Sequence, residues 1–340
     1  MGKSEEVTLN IDGRDVRITS PNKVFFSERG ETKLDLVRFY VSIGAPFLEA
    51  NRGRPTMLQR YPDGAEGNSF FQKRVPENLP DWLETTTVST PNGTTSKALV
   101  LADMAHVAWA VNLGCLGFHP WPFRADQPHG TDELRIDLDP QDGVDFEMLR
   151  EAAHETHMLF QDVGVDSYPK TTGNRGIHVY VALQPDWDSF SVRSCAVAVA
   201  RELERRRPDL ITAAWWKEER GTRVFVDFNQ NAPHKTVFGT WCVRANREAR
   251  VSAPFVWSEL ATINPSHLTI ATVPSRLVEQ GDPWASMYTA PQSLAPLLAL
   301  HERDSASGLP DAPWPPVYPK MAGEPPRVAP SRAKKPKATG

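Results

Sequence analysis

Three short segments alternate apolar and polar positions with the two-residue period of a half-buried strand. In residues 132–140, Leu134, Ile136 and Leu138 alternate with Arg135, Asp137 and Asp139, so both aspartates leave the sheet on the face of Arg135. In residues 176–183, Ile177, Val179, Val181 and Leu183 make the apolar face, and His178 and Tyr180 point the other way. In residues 223–228, Val224, Val226 and Phe228 are apolar, while Arg223, Phe225 and Asp227 share the opposite face. Between the strands the period changes to that of a helix: Phe146, Leu149, Ala153, Thr156, Phe160 and Val163, then Val192, Cys195, Val199 and Leu203.

The flanks are patterned too. Residues 7–11 and 16–18 flank Asp12-Gly13 and predict a hairpin with a tight turn. A loop and short strand over 20–26 lead to a helix capped by Thr32, with Asp35 at its third position and Leu34, Val37, Val41, Gly44 and Leu48 as the buried stripe. Strands follow at 54–61 and 69–73; adjacent Phe70 and Phe71 must face opposite ways, which predicts one ring packed inside and the other outward. A helix is expected over 104–113, ending at Gly114, and a rigid turn over 118–121. Residues 264–300 read as helix with proline breaks. The fold class is α+β, with mixed or antiparallel sheets and flanking helices. One unit is expected over 1–305, β-rich to about 100, with a core at about 101–260 and a helical part at about 261–305. From 306 an extended arm or tail is expected, because nine prolines lie beyond residue 309 with a basic cluster at Arg332, Lys334, Lys335 and Lys337.

Composition narrows the class. The 340 residues are 40% hydrophobic, ample for a core, and no apolar run approaches the roughly 18 residues of a membrane span. The N-terminus lacks the apolar core of a signal peptide, so a cytoplasmic protein is expected. Cys115, Cys195 and Cys242 are scattered and odd in number, which argues against a disulfide framework or cysteine zinc site and for a reducing compartment. The formal charge of -4 does not decide about nucleic acid, since a centre that gathers carboxylates can still hold a phosphate backbone with cations at its rim. No P-loop or dinucleotide-binding glycine signature occurs, and His154 and His157 do not match a metalloprotease motif.

The chemistry concentrates on the three strands. Carboxylates at i and i+2 on one face repel each other unless a cation lies between them, and a hard divalent ion with oxygen ligands, Mg²⁺ or Mn²⁺, resolves this; an exposed, solvated strand end is the plain alternative. His178 and Asp227 each follow a turn rich in Gly, Asn, Thr, Lys and Arg (170–175 and 218–223), residue types that hold phosphates. Lys23 and Lys33, on a loop and a helix start, suit an anion. An exposed phenylalanine beside Arg60 and Lys73 could stack on a base, against the alternative that both rings are core.

The ordered set Asp137-x-Asp139, residues 170–178 and Arg223-Val-Phe-Val-Asp227 resembles the three motifs of archaeo-eukaryotic-type primases and polymerases, most closely the polymerase domain of bacterial ligase D and its stand-alone relatives. Residues 21–23, 60–63, 70–73, 112–115, 119–121 and 230–231 also look like members of that group, so the likeness covers nearly the whole chain. The resemblance implies a primase-polymerase core in which Asp137, Asp139 and Asp227 bind two divalent ions and are catalytic. It implies that His178, Thr172, Arg175 and Arg244 hold the triphosphate and His119 positions the incoming nucleotide. Phe70 and Phe71 would stack on the template end near Arg60 and Lys73, and Lys23 and Lys33 would grip a 5′-phosphate across a gap. Ribonucleotides and manganese would be favoured, with NTPs or dNTPs as substrates, gapped or broken DNA as partner, and a ligase and an end-binding protein supplied separately. Thr172 stands where these domains commonly carry serine. A metal-dependent phosphodiesterase and a non-catalytic DNA-end binding module are the other readings of the same residues.

Overall fold

Asp12 and Gly13 take positive φ values of 49° and 75°, the geometry of a two-residue turn whose twist suits a hairpin. In the computed structural model, which describes residues 5–328, they join β1 (Glu6–Ile11) to β2 (Arg14–Thr19) with Ile11 opposite Arg14. The next helix, α1 (Lys33–Ser42), opens on a reciprocal cap: Asp35 donates its amide to Thr32 Oγ1, and Thr32 donates its own to Asp35 Oδ2. Its buried face differs from the expected stripe. Lys33, Leu36, Val37, Phe39 and Tyr40 are buried, and Val41 is 43% exposed. The aromatic rings decide the phase: Tyr40 packs edge-on against Phe47 and Phe118, and a break at Ile43 starts a second helix, α2 (Gly44–Asn51).

Two sheets follow. The first is built on β3 (Pro55–Arg60), with β4 (Phe70–Gln72), β5 (Thr85–Ser89) and β6 (Thr95–Val100) in the order β4-β3-β6-β5. α3 (Met104–Asn112), capped by Asp103, returns the chain to β7 (Cys115–Pro120), which also pairs with β3. Residues 118–120 are therefore strand and not the expected turn; His119 lies opposite Met57, and Pro120 takes the end of the ladder, where a missing amide is tolerated. β4 is a three-residue edge strand, so neither Phe70 nor Phe71 is covered: they are 46% and 54% exposed, and the expectation that one is packed inside is overturned.

The second sheet has the order β11-β12-β8-β10-β9, from β8 (Glu133–Pro140), β9 (Tyr168–Thr171), β10 (Ile177–Ala182), β11 (Ile211–Thr212) and β12 (Val224–Val226). All its pairs are antiparallel except β11 with β12. Leu134, Ile136 and Leu138 are fully buried in one core with residues of α4 (Phe146–Asp162) and α5 (Ser189–Arg206), each helix capped by an aspartate, Asp145 or Asp188. The short α6 (Lys217–Arg220) leads into β12. After it, α7 (Val273–Gln280) and α8 (Ala295–Ala306) alternate with 3₁₀ turns, and α8 packs on α5.

A buried ion network joins the sheets. Arg54, fully buried just before β3, donates to both oxygens of Asp132 at 2.6 and 3.0 Å and to Glu133 at 2.7 Å. Glu133 also accepts from Arg135 at 2.8 Å and from the Tyr288 hydroxyl at 2.6 Å. Burial alone would raise the Glu133 carboxyl; the Arg54 and Arg135 charges overcome it and bring it down to about 2.

The proline-rich stretch is not a free arm where it is described. Trp314 and Tyr318 are buried, and Arg193 lies 3.8 Å from the Trp314 ring centroid while pairing with Asp311 at 3.0 Å and donating to the Ala312 carbonyl. An aromatic ring over a buried guanidinium replaces the solvent an isolated polar tail would need. The basic cluster at Arg332, Lys334, Lys335 and Lys337 lies outside the described residues.

Removing Arg54 leaves two buried carboxylates short of their cation. Arg54→Met is expected to lower the free energy of unfolding by about 3–5 kcal/mol, read from the midpoint of urea denaturation. A loss under about 1 kcal/mol would mean that the two sheets do not depend on this network.

Candidate active site

The alternation of β8 sends Arg135, Asp137 and Asp139 out of the sheet on the face left uncovered by α4 and α5. Register then chooses their neighbours. His178 on β10 lies opposite Asp137, and its Nε2 is 3.2 Å from Asp137 Oδ1. On the other side β12 ends at Val226, and the Asp227 amide donates to the Asp137 carbonyl at 2.9 Å, which sets the third aspartate beside the first. Asp227 caps a 3₁₀ turn over Phe228–Asn231, accepting from the Asn229 amide. One turn on, the Gln230 amide nitrogen donates to Asp227 at 2.9 Å and Asp137 at 3.3 Å, bridging two strands. Asp139 stands one pleat along, with Gln141 Nε2 at 3.1 Å.

The three carboxylates are electrostatically unequal. Burial and then the Asp137 charge raise Asp139, and the same two causes push Asp227 up to about 6. Asp137 goes the other way: burial opposes its ionisation, but His178, Lys170 and Arg244 hold it below the usual carboxylate range. His178 itself is pushed down to about 4, by burial first and by Lys170 second, so near neutrality it is an uncharged imidazole donating to an ionised Asp137. Its buried Nδ1 has no hydrogen-bond partner.

The turn between β9 and β10 is tied from within. Thr172 Oγ1 accepts from the Asn174 and Gly176 amides at 3.2 and 3.1 Å, and the Thr172 carbonyl accepts from Arg244 Nε at 2.8 Å. Gly173 has φ +69°, and a Cβ there would meet Arg244 Cγ at 2.9 Å, so glycine permits both the left-handed turn and the close arginine. Arg244 lies over the Phe238 ring at 3.5 Å, and burial pulls it down to about 10. Arg175 is exposed at the tip, close enough to Asp139 for its charge to be felt.

His119 reaches this site from the first sheet. Its ring sits edge-on between Phe71 and Phe238, with centroids 5.2 and 5.3 Å away, and its Nε2 is 3.3 Å from Gln59 Oε1. Burial, then Arg244 and Lys170, press it down to about 3, which makes it neutral. Gln59, Gly117, Phe238, Arg244 and Asn246 line a cavity of about 190 Å³ there. Phe70 turns to the other face of its strand, with Arg60 at 5.1 Å from its ring, and Lys73 is exposed beyond it. Lys33 is buried, its ammonium donating to the carbonyls of Thr19 and Asn112, and burial followed by Lys23 and Arg60 lowers its proton affinity. Lys23 donates to the Pro62 carbonyl and lies 3.5 Å from Asp63. Lys23, Lys33 and Arg60 thus form a cationic cluster on the Phe70 side of β4.

Some functional candidates escape the sequence pattern. Gln230 is one: the sequence marks it by its place in residues 230–231 and a spacing of three from Asp227, but gives it no role. Lys170 is another: fully buried, it donates to Ser252 Oγ at 2.6 Å, and burial followed by Arg244 brings its ammonium down to about 7. Arg220 is a third, over the Phe225 ring at 3.5 Å and within charge range of Asp227 and Asp139. Among the described residues, no group of three or more His, Cys, Asp and Glu side chains is gathered closely enough to hold a metal ion as the side chains stand. The donor chemistry nevertheless fits a hard divalent cation: only carboxylate oxygens, with Asp139 and Asp227 held up by burial and by the Asp137 charge.

Comparison with known proteins agrees with this arrangement. Residues 32–284 match the family model described as LigD, primase-polymerase domain. The chain is 34% identical over 269 residues to the multifunctional non-homologous end joining protein LigD of Mycolicibacterium smegmatis, covering 78% of this chain and 35% of that protein. It is 31% identical over 289 residues to the bifunctional non-homologous end joining protein LigD of Bacillus subtilis, covering 84% of this chain and 46% of that one. The chain thus spans less than half the length of these curated relatives. Among solved structures, the polymerase domain of Mycobacterium tuberculosis ligase D in complex with DNA superposes with a TM-score of 0.75 at 28% identity, over 81% of this chain and 98% of that one. The α+β architecture and the family model point one way: this chain belongs to the LigD primase-polymerase domain family.

Proposed function

We propose that the protein adds nucleotides to the 3′-hydroxyl of a DNA primer at gaps or broken ends, with ribonucleotides preferred, and that it acts in the cytoplasm on nucleoid DNA alongside a separate ligase and an end-binding protein. The observation that carries this is the meeting of Asp137, Asp139 and Asp227 on one open face beside a cationic turn. Asp137, Asp139 and Asp227 would hold divalent ions, Mn²⁺ or Mg²⁺, which when bound supply charge shielding at the α-phosphate and the leaving pyrophosphate. Gln230, now donating to two of these carboxylates, fixes their separation before any ion arrives.

The remaining residues sort by charge and position. Arg244, Arg175 and Thr172 surround the turn that faces the triphosphate, and the unpartnered Nδ1 of His178 points to a group still to be bound. The neutral His119 can both donate to and accept from a hydroxyl, the pairing a ribose 2′-OH offers, and Gln59 beside it does the same. Phe71 borders this nucleotide side of β4, whereas Phe70 borders the Lys23, Lys33 and Arg60 cluster. The contact of Phe71 with His119 and of Phe70 with Arg60 supports a stacking ring for the new base and another beside a downstream 5′-phosphate. The phosphodiesterase reading uses the same carboxylates, but the paired stacking rings and the polar, neutral His119 favour nucleotide addition over hydrolysis.

Asp137→Ala and Asp227→Ala are each expected to abolish primer extension while leaving affinity for gapped DNA within about twofold, because neither side chain faces the DNA-holding cluster; extension retained by either variant would sink the assignment. Paired ribo- and deoxynucleotides opposite one template base should show faster ribonucleotide incorporation, and His119→Ala should shrink that preference. A clear deoxynucleotide preference in both metals would count against the sugar choice.

Lys170 gives a pH test independent of turnover. Its folded value of about 7 lies below the ordinary 10.5, so the folded state binds fewer protons than the unfolded chain between those limits, and the burial penalty is largest below pH 7. Lys170→Met is therefore expected to unfold at a higher temperature than the parent at pH 6, with the gap closing as pH rises toward 10. A gap that does not change with pH would show that Lys170 is not a buried, easily deprotonated amine.

A further inference from the structure

Across the β9–β10 turn from the cavity of Arg244 lies a second one of about 470 Å³. The two share a single lining residue, Asn174. Its floor begins at Pro140, directly after Asp139, and runs past the first turn of α4 to residues 264–266. Three arginines line it, and two are anchored so that one donor is left over. Arg150 pairs with Glu147 at 2.7 Å and donates to the Ile263 carbonyl at 2.8 Å, yet its Nε is buried without a partner. Arg250 donates to the Asn174 carbonyl at 3.2 Å and stands 3.5 Å from Glu248, and its Nε is also buried without a partner. Buried N–H groups left unpaired are costly and rare, and both belong to arginines that line this cavity, whose combined positive charge favours an anion. The third, Arg175, makes no ion pair within 4 Å among the described residues. The Asp145 carboxylate in the wall is occupied by the helix cap, accepting from the Met148 amide at 2.9 Å.

The cavity is not only cationic. Phe146 lies under Arg150, 4.9 Å from the guanidinium, and Pro140, Val144 and Pro265 extend an apolar wall beside it. Its volume falls within the roughly 300–1,000 Å³ of small-molecule sites. A bare phosphate or pyrophosphate would satisfy the arginines and leave that wall wet. A flat ring carrying a phosphate uses both, with Asn264 and Ser266 at the rim for its polar edge.

We propose that this cavity is a second nucleotide site, separate from the triphosphate site over the aspartates, holding a free mononucleotide with its phosphate on Arg150 and Arg250 and its base along Phe146. Because Arg175 lines this cavity and its charge is also felt at Asp139, a bound phosphate offsets part of the positive charge that reaches the aspartates. This inference does not depend on the sugar or repair pathway proposed above.

The test is calorimetric titration of AMP into the Asp137→Ala protein in EDTA, where binding through metal ions at the aspartates is removed. One AMP per chain is expected to bind, with pyrophosphate at least tenfold weaker. An Arg150→Gln/Arg250→Gln variant should lose AMP binding by tenfold or more. Since those arginines also anchor carbonyls, Ser266→Asp in the same background provides the second arm: it keeps both anchors, adds a repelling charge, and should weaken AMP equally, while Ser266→Asp alone retains primer extension. No AMP binding in EDTA, unchanged binding in Ser266→Asp, pyrophosphate bound as tightly as AMP, or binding only of a single-stranded oligonucleotide would each overturn the proposal.

Discussion

The arrangement hangs on Arg54. Its guanidinium, buried between Asp132 and Glu133, pins the start of β8 to the strand of the first sheet that carries Gln59 and Arg60, and the far end of the same β8 presents the aspartates. A rigid strand about eight residues long then acts as a ruler between the sheets. Glu133 passes the constraint on to Arg135, whose own peptide group is clasped by Asn231, Oδ1 accepting its amide and Nδ2 donating to its carbonyl. The 3₁₀ turn bearing Asp227 and Gln230 is thereby located by the same buried charges. Such ion networks contribute modestly to net stability, but they specify one docking of two sheets where apolar packing alone would tolerate several.

The aspartate face is built for charge that is not yet there. Arginine and lysine surround it without pairing closely to the carboxylates: Arg244 stacks on Phe238, Arg220 on Phe225, and Lys170 is satisfied by Ser252 and the Phe238 carbonyl. Aromatic rings and carbonyls thus hold the cations back from Asp137 and Asp227, which would otherwise be neutralised in the resting protein. The cost appears as displaced proton affinities, with Asp227 up and Lys170 down. Preorganised electrostatics of this kind favour a bound, highly charged reactant over water.

The central strands were legible because a two-residue period fixes which side chains share a face, and Asp137, Asp139, His178 and Asp227 need only that. Register was not, since pairing partners come from distant segments; hence neither the closeness of His178 to Asp137 nor the bridge from Gln230 could be read ahead. Lys170 escaped because an ammonium is ordinarily at the surface, and only the β9–β10 pairing with residues 251–254 above it buries the group. Phe70 and Phe71 misled for the opposite reason: alternation gives the face, while burial depends on whether anything covers that face. The stripe of α1 failed where the aromatic rings of Tyr40 and Phe47, and not regular spacing, set the helix phase. The segment through Trp314 looked like a tail by composition, yet buried Arg193, Asn229 and the packing of Trp314 and Tyr318 on Ala232 hold it.

The short edge formed by β4 has a consequence for how copies of the protein treat one another. An open strand with two bare phenyl rings is an invitation for a neighbouring molecule to add its own strand. Arg60, Lys73 and Arg74 flank that edge, and like charges on an approaching copy would meet head-on. The same charges welcome a polyanion. Avoidance of a second copy and attraction for a polyanion are therefore a single property of this edge.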